Sequence, residues 1–203
     1  YIVTASDDNT ARVWDAKTGE PVTEPLKHEN SVNPAQFSPD GKYIVTASYD
    51  YTARVWDAKT GEPVTESLRH EGPVYSAQFS PDGKYIVTAS SDNTARVWDA
   101  KTGEPVTEPL KHEESVRSAQ FSPDGKYIVT ASSDNTARVW DAKTGEPVTE
   151  SLRHEGPVYS AQFSPNGKYI VTASASWDKT AKVWEFPPLE ELIDKYRNDL
   201  EHD

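Results

Sequence analysis

The hexapeptide Tyr-Ile-Val-Thr-Ala-Ser begins at Tyr1, Tyr43, Tyr85, Tyr127 and Tyr169, a spacing of about 42 residues. A fixed period of this length marks solenoids, arrays and propellers, in which no unit can bury its apolar side alone and neighbours stack to share a core. The repeat therefore limits the fold before any single residue does. It also suits a mean hydropathy of −0.76, which fits many thin buried layers better than one continuous apolar centre.

Inside each unit the pattern is that of strands. YIVTAS alternates small and apolar side chains, and TARVW, as at Thr52 to Trp56, follows after a short polar turn; both are rich in β-branched and aromatic residues. Ser80-Pro81-Asp82-Gly83 places proline where φ near −65° is needed and glycine where φ can turn positive, so it closes a hairpin. Asn166-Gly167 does the same later in the chain, and Lys59-Thr60-Gly61 supplies a further glycine turn before Pro63-Val64-Thr65. The spacing predicts four strands per unit: AQF, YIVTAS, TARVW and an outer PVTE, where an edge position tolerates proline. Helical solenoids are excluded because glycine and proline turns recur too often for long helices.

Antiparallel four-stranded sheets that stack around an axis make a propeller, an all-β fold. At this point the residues resemble a known family. Trp14-Asp15, Trp56-Asp57, Trp98-Asp99 and Trp140-Asp141 are similar to the dipeptide that names the WD-repeat (WD40) β-propellers, and the resemblance extends from residue 1 to about 185. Two features depart from the family pattern. Its Gly-His pair appears here as Lys27-His28, Arg69-His70, Lys111-His112 and Arg153-His154, and the last unit reads Trp184-Glu185.

Each full unit carries a histidine, an aspartate after YIVTAS and several hydroxyls, so a Ser-His-Asp catalytic set has to be weighed; in the second unit it would comprise Asp50, His70 and Thr46 or Ser48. The resemblance implies another role, a buried polar network that locks strands. Its members would be Asp8, Trp14 and His28, then Asp50, Trp56 and His70, then Asp92, Trp98 and His112, then Asp134, Trp140 and His154. A set that recurs in every unit fits structure better than one catalytic centre. No P-loop, HExxH or GxSxG run occurs, the histidines lie one per unit rather than converging on a metal, and the expectation is no catalytic residue, no metal and no cofactor.

Function is expected at one face. The turn after YIVTAS and the loop joining successive units emerge on the same side of an antiparallel meander, and the differences between units collect there. The expected protein-binding face comprises Asp7, Tyr49, Tyr51, Asn33, Tyr75, Ser91, Arg117, Ser133, Tyr159 and Trp177. Drift at tolerant loop positions and tyrosines that merely cover a neighbouring blade are the plainer alternatives. Trp177 sits in a turn about two residues longer than its counterparts, either as a contact anchor or tucked into a local bulge.

The net charge of −12 would repel a phosphate backbone, so no nucleic acid is expected, and no apolar run is long enough for a membrane helix. Partners are expected to be proteins or peptides. The absence of cysteine fits a reducing, cytoplasmic setting. The lack of methionine and the start within a unit point to sequence upstream of Tyr1. About four and a half blades are expected over residues 1–186, with the ring completed by further blades or by another copy in a homo-oligomer. Units alternate between Pro-Leu-Lys and Ser-Leu-Arg, as at Pro25 and Ser67, which reads as recent copying in pairs. Beyond Pro187-Pro188, Leu189, Leu192, Ile193, Tyr196 and Leu200 recur at helical spacing, predicting an amphipathic helix over 187–203 that resembles the tails following propellers in large bacterial signalling proteins.

Overall fold

Every YIVTAS segment pairs antiparallel with the TARVW segment that follows it, or with TAKVW in the last unit. The structure, a computed structural model, describes residues 1–174 and 178–186. The first sheet holds β1 (Ile2–Ala5), β2 (Thr10–Trp14) and β3 (Leu26–Lys27). The second holds β4 (Val32–Phe37), β5 (Tyr43–Ser48), β6 (Thr52–Asp57) and β7 (Leu68–Arg69). The third holds β8 (Val74–Phe79), β9 (Tyr85–Ser90), β10 (Thr94–Asp99) and β11 (Leu110–Lys111), and the fourth β12 (Val116–Phe121), β13 (Tyr127–Ser132), β14 (Thr136–Asp141) and β15 (Leu152–Arg153). The last holds β16 (Val158–Phe163), β17 (Tyr169–Ser174) and β18 (Ala181–Glu185). The described residues thus form an all-β partial propeller of antiparallel sheets, four-stranded in the interior and three-stranded at either end.

The outermost strand differs from the expectation. PVTE forms no strand; Pro21, Pro63, Pro105 and Pro147 each make a single bridge to the tryptophan of the preceding strand. Proline has no N–H to donate, so the ladder cannot run on. The fourth strand is instead the two-residue Leu-Lys or Leu-Arg segment, with Leu68 opposite Ala53 and Leu110 opposite Ala95. Its leucine is buried and its cation exposed in the interior sheets. The predicted helix over 187–203 lies outside the described residues.

Neighbouring sheets share apolar layers, as the repeat requires. Val87, Ala89, Ala95 and Val97 of one sheet pack against Val116, Ala119, Ile128 and Trp140 of the next. Removing the apolar area of one such layer from water stabilises the stack at roughly 25 cal/mol per Å². Both sides of the YIVTAS strand are buried in interior sheets, whereas in β17 every other residue is exposed.

Candidate functional site

In the interior blades the polar chain starts at a buried tryptophan, Trp56, Trp98 or Trp140. Trp98 Nε1 donates to Thr88 Oγ1 at 2.9 Å. That hydroxyl lies 2.7 Å from His70 Nε2, and His70 Nδ1 lies 2.8 Å from Asp92 Oδ2. An indole N–H can only donate, so the threonine donates onward to Nε2 and the Nδ1 proton goes to the carboxylate. Asp92 also accepts from Thr94 Oγ1 at 2.6 Å and from Glu71 N at 3.1 Å. Burial opposes ionisation of Asp92, but the bonds from His70, Thr94 and Glu71 outweigh it and hold the carboxyl well below the usual range.

The same chain recurs with His28, Thr46, Asp50 and Trp56, and with His112, Thr130, Asp134 and Trp140. The last blade builds it from His154, Thr172, Asp178 and Trp184, the Asp178 carboxyl being lowered to about 2 by Thr180, His154 and Glu155 against the opposing effect of burial. Every ring nitrogen of these histidines has a partner, so the arrangement braces strands; in the last blade the hydroxyl of exposed Thr180 also lies 3.4 Å from His154 Nδ1.

The pairing corrects the unit-by-unit grouping expected from sequence. His70 belongs with Asp92 and not with Asp50, and Asp50 belongs with His28. Each histidine sits at the end of an outer strand, and the chain must cross to the next sheet before it meets its aspartate. Among the described residues Asp8 meets no histidine; it is exposed and bonds Thr10 and Arg12, while Trp14 keeps its bond to Thr4 at 2.9 Å. Threonine, not Ser48, is the hydroxyl in the chain. Asp178 and Trp184 were not expected members; the insertion before Asp178 hides its position in the repeat.

The upper face is where the β5–β6, β9–β10 and β13–β14 turns meet the loops that join successive sheets. Backbone bonds tie the two together: Tyr49 N donates to Ser31 O and Ser91 N to Pro73 O, each at 3.0 Å. On this face the inner strands carry a bulge, the register slipping between Val74 and Ser76, Val116 and Ser118, and Val158 and Ser160. The extra residues are Tyr75, Arg117 and Tyr159. A bulge leaves its residue out of the ladder and re-aims the side chain, and these are the positions at which the units differ.

Their side chains form one cluster. The Arg117 guanidinium lies 5.0 Å from the centre of the Tyr75 ring and 5.6 Å from that of Tyr159, within cation–π reach of both. Arg117 Nε donates to Ser133 Oγ at 2.8 Å, and Tyr49 meets Tyr75 edge-on at 5.8 Å. Of the residues expected at the face, Tyr49, Tyr75, Arg117, Ser133 and Tyr159 come together. Asp7, Asn33 and Tyr51 are exposed apart from the cluster, Ser91 is half-buried, and Trp177 lies outside the described residues. Tyr51 holds a left-handed backbone at φ 72, where Asn9, Asn93 and Asn135 stand in other units. Exposed Glu29, Glu71, Glu113 and Glu155 rim the face, one after each histidine.

Among the described residues no group of three or more histidine, aspartate or glutamate side chains is placed to hold a metal. A family model described as WD domain, G-beta repeat matches residues 1–15, 19–57, 61–99, 103–141 and 145–185. Each long match contains a histidine together with its structural partners, as 19–57 contains His28, Thr46, Asp50 and Trp56. A solved structure described as the computationally designed Ika8 protein is similar with a TM-score of 0.80 and 27% identity, over 91% of this chain and 55% of that one; the chain spans about half of that protein's length. No curated protein matches it in sequence. The matched segments cover most of the chain, each long one running from the outer strand of one sheet through three strands of the next, and the chain belongs to the WD40 repeat family.

Proposed function

We propose that this chain is a non-catalytic interaction module that recognises a protein or peptide through its upper face. WD40 repeats are typically non-catalytic protein-interaction scaffolds, and one observation carries the reading further. The repeated scaffold varies at its bulged inner positions, and there Tyr75, Arg117 and Tyr159 bring cation and rings together. Tyrosine and arginine are the types that dominate interface energetics, and loops on rigid strands are where recognition residues reside. The acidic rim favours a basic partner. In this reading the array, copied in pairs of blades, is the sensor or scaffold arm of a larger bacterial signalling protein working in the cytoplasm.

The test is selection of peptides from a displayed library on the chain, followed by affinity measurement with Arg117→Ala and Tyr159→Ala. Loss of about tenfold or more in affinity, with unchanged melting, is the expected result. Equal affinity for parent and both variants rejects the reading.

A second reading, assembly between copies, is favoured by the last blade. Val171 and Val183 are 42% and 69% exposed, while the equivalent Val87 and Val97 are fully buried by the next sheet. A second copy seating a blade there would complete more of the ring. Light scattering tests it: an oligomer that Val183→Lys dissociates supports assembly, and a monomer at all concentrations rejects it.

A further inference from the structure

The lower face differs between units at one position that the upper face does not use. After the Trp-Asp pair stand Ala58, Ala100 and Ala142, but the last unit carries Phe186. The backbone is equivalent: Ala100 N donates to Lys84 O and Ala142 N to Lys126 O at 2.9 Å, and Phe186 N donates to Lys168 O at 2.8 Å. The side chains are not. Phe186 is buried edge-on against Tyr127 at 4.9 Å and Phe163 at 5.4 Å, with Val148 packed against the same cluster. Tyr127 is consequently 5% exposed, whereas Tyr43 and Tyr85, which face alanine, are each 37% exposed.

Beside Ala100 and Ala142 a cavity is left. One of about 420 Å³ is lined by Tyr43, Val64, Tyr85 and Ala100, and one of about 340 Å³ by Tyr85, Val106, Tyr127 and Ala142. Both are within the size range of ligand pockets. Lys84 and Lys101 line the first and Lys126 and Lys143 the second, all exposed. Lys84 and Lys126 reach Asp82 and Asp124 at 3.4 and 3.9 Å. The Asp99 carboxylate in the first wall is taken up by the backbone N–H groups of Lys101 and Thr102 at 2.9 Å, and Asp141 in the second by those of Lys143 and Thr144.

We propose that these two cavities receive phenylalanine side chains of an acidic, extended partner segment. The protein itself shows the occupant, since Phe186, preceded by Glu185, fills the equivalent site one blade further on. An aromatic ring there buries the exposed edge of each tyrosine and gains edge-to-face contact, and the lysines meet carboxylates flanking it. The site is independent of the upper-face cluster.

The probe is a fluorescein-labelled peptide Glu-Glu-Phe-Glu-Glu, followed by fluorescence polarisation on the full chain. Saturable binding at two sites is expected, about tenfold weaker when alanine replaces the phenylalanine. Ala100→Phe combined with Ala142→Phe, which fills both cavities from within as Phe186 does, abolishes it. Should that variant not fold, Val64→Asp with Val106→Asp, both 39% exposed at the rims, gives the same loss. Arg117→Ala leaves this binding unchanged. Binding that persists in the filled or rim variants, that ignores the loss of the ring, or that never saturates overturns the proposal.

Discussion

His70 and Asp92 stand 22 residues apart and share a 2.8 Å bond between Nδ1 and Oδ2, with both side chains withdrawn from water. The bond joins the outer strand of one sheet to a turn of the next. It is a rivet between blades as much as within one, and the same contact recurs at His28, His112 and His154.

Removing the carboxylate strands the imidazole. Asp92→Ala destabilises the fold by about 1.5–3 kcal/mol, the range for a hydrogen bond to a charged group, as read from a urea midpoint. Asp8→Ala, which removes the equivalent but exposed aspartate that meets no histidine, leaves the midpoint where it was.

Stability should fall with acid. The carboxyls of Asp50, Asp92 and Asp134 are depressed in the folded state because the bonds from histidine, threonine and backbone outweigh the opposing effect of burial, and Asp178 is lowered to about 2. A depressed folded value means that the stabilisation is present above the unfolded value of about 4 and is lost as pH drops through the folded ones. Urea midpoints measured from pH 7 to pH 2.5 should decline below about pH 4, and less steeply in Asp92→Asn.

Thr88 relays between an indole and an imidazole. Thr88→Val keeps the shape but leaves Trp98 Nε1 and His70 Nε2 without partners, at a cost of about 1–3 kcal/mol for each buried group stranded. Thr4→Val, whose hydroxyl serves Trp14 alone at an exposed end, costs less. Thermal melting of the two variants side by side checks the order.

Tyr51 adopts the left-handed conformation that three units give to asparagine. Asparagine visits that region more readily than a bulky side chain does, so Tyr51→Asn should stabilise the chain by on the order of 1 kcal/mol. An unchanged or lower melting point would show that the tyrosine ring contributes packing that outweighs its backbone strain.

Much of this architecture was legible in the sequence. The period, the YIVTAS and TARVW strands and the glycine turns are local features, set by alternation and by which residues accept a given φ. Gly83, in the Ser-Pro-Asp-Gly turn, has φ +72, as the turn chemistry requires. The outer strand was misplaced because Pro63-Val64-Thr65 looks extended, yet proline cannot continue a ladder, and the pairing falls to Leu68–Arg69 instead.

Sequence by itself determined that the chain repeats and that each copy is a small antiparallel sheet. Tertiary structure alone decided that His70 meets Asp92 rather than Asp50, that Tyr75, Arg117 and Tyr159 converge across three sheets, and that Phe186 fills a space which Ala100 and Ala142 leave open. The reason is physical: propensity and turn chemistry act over a few residues, whereas these contacts depend on how one sheet is rotated and stacked on the next, and no local pattern records that angle.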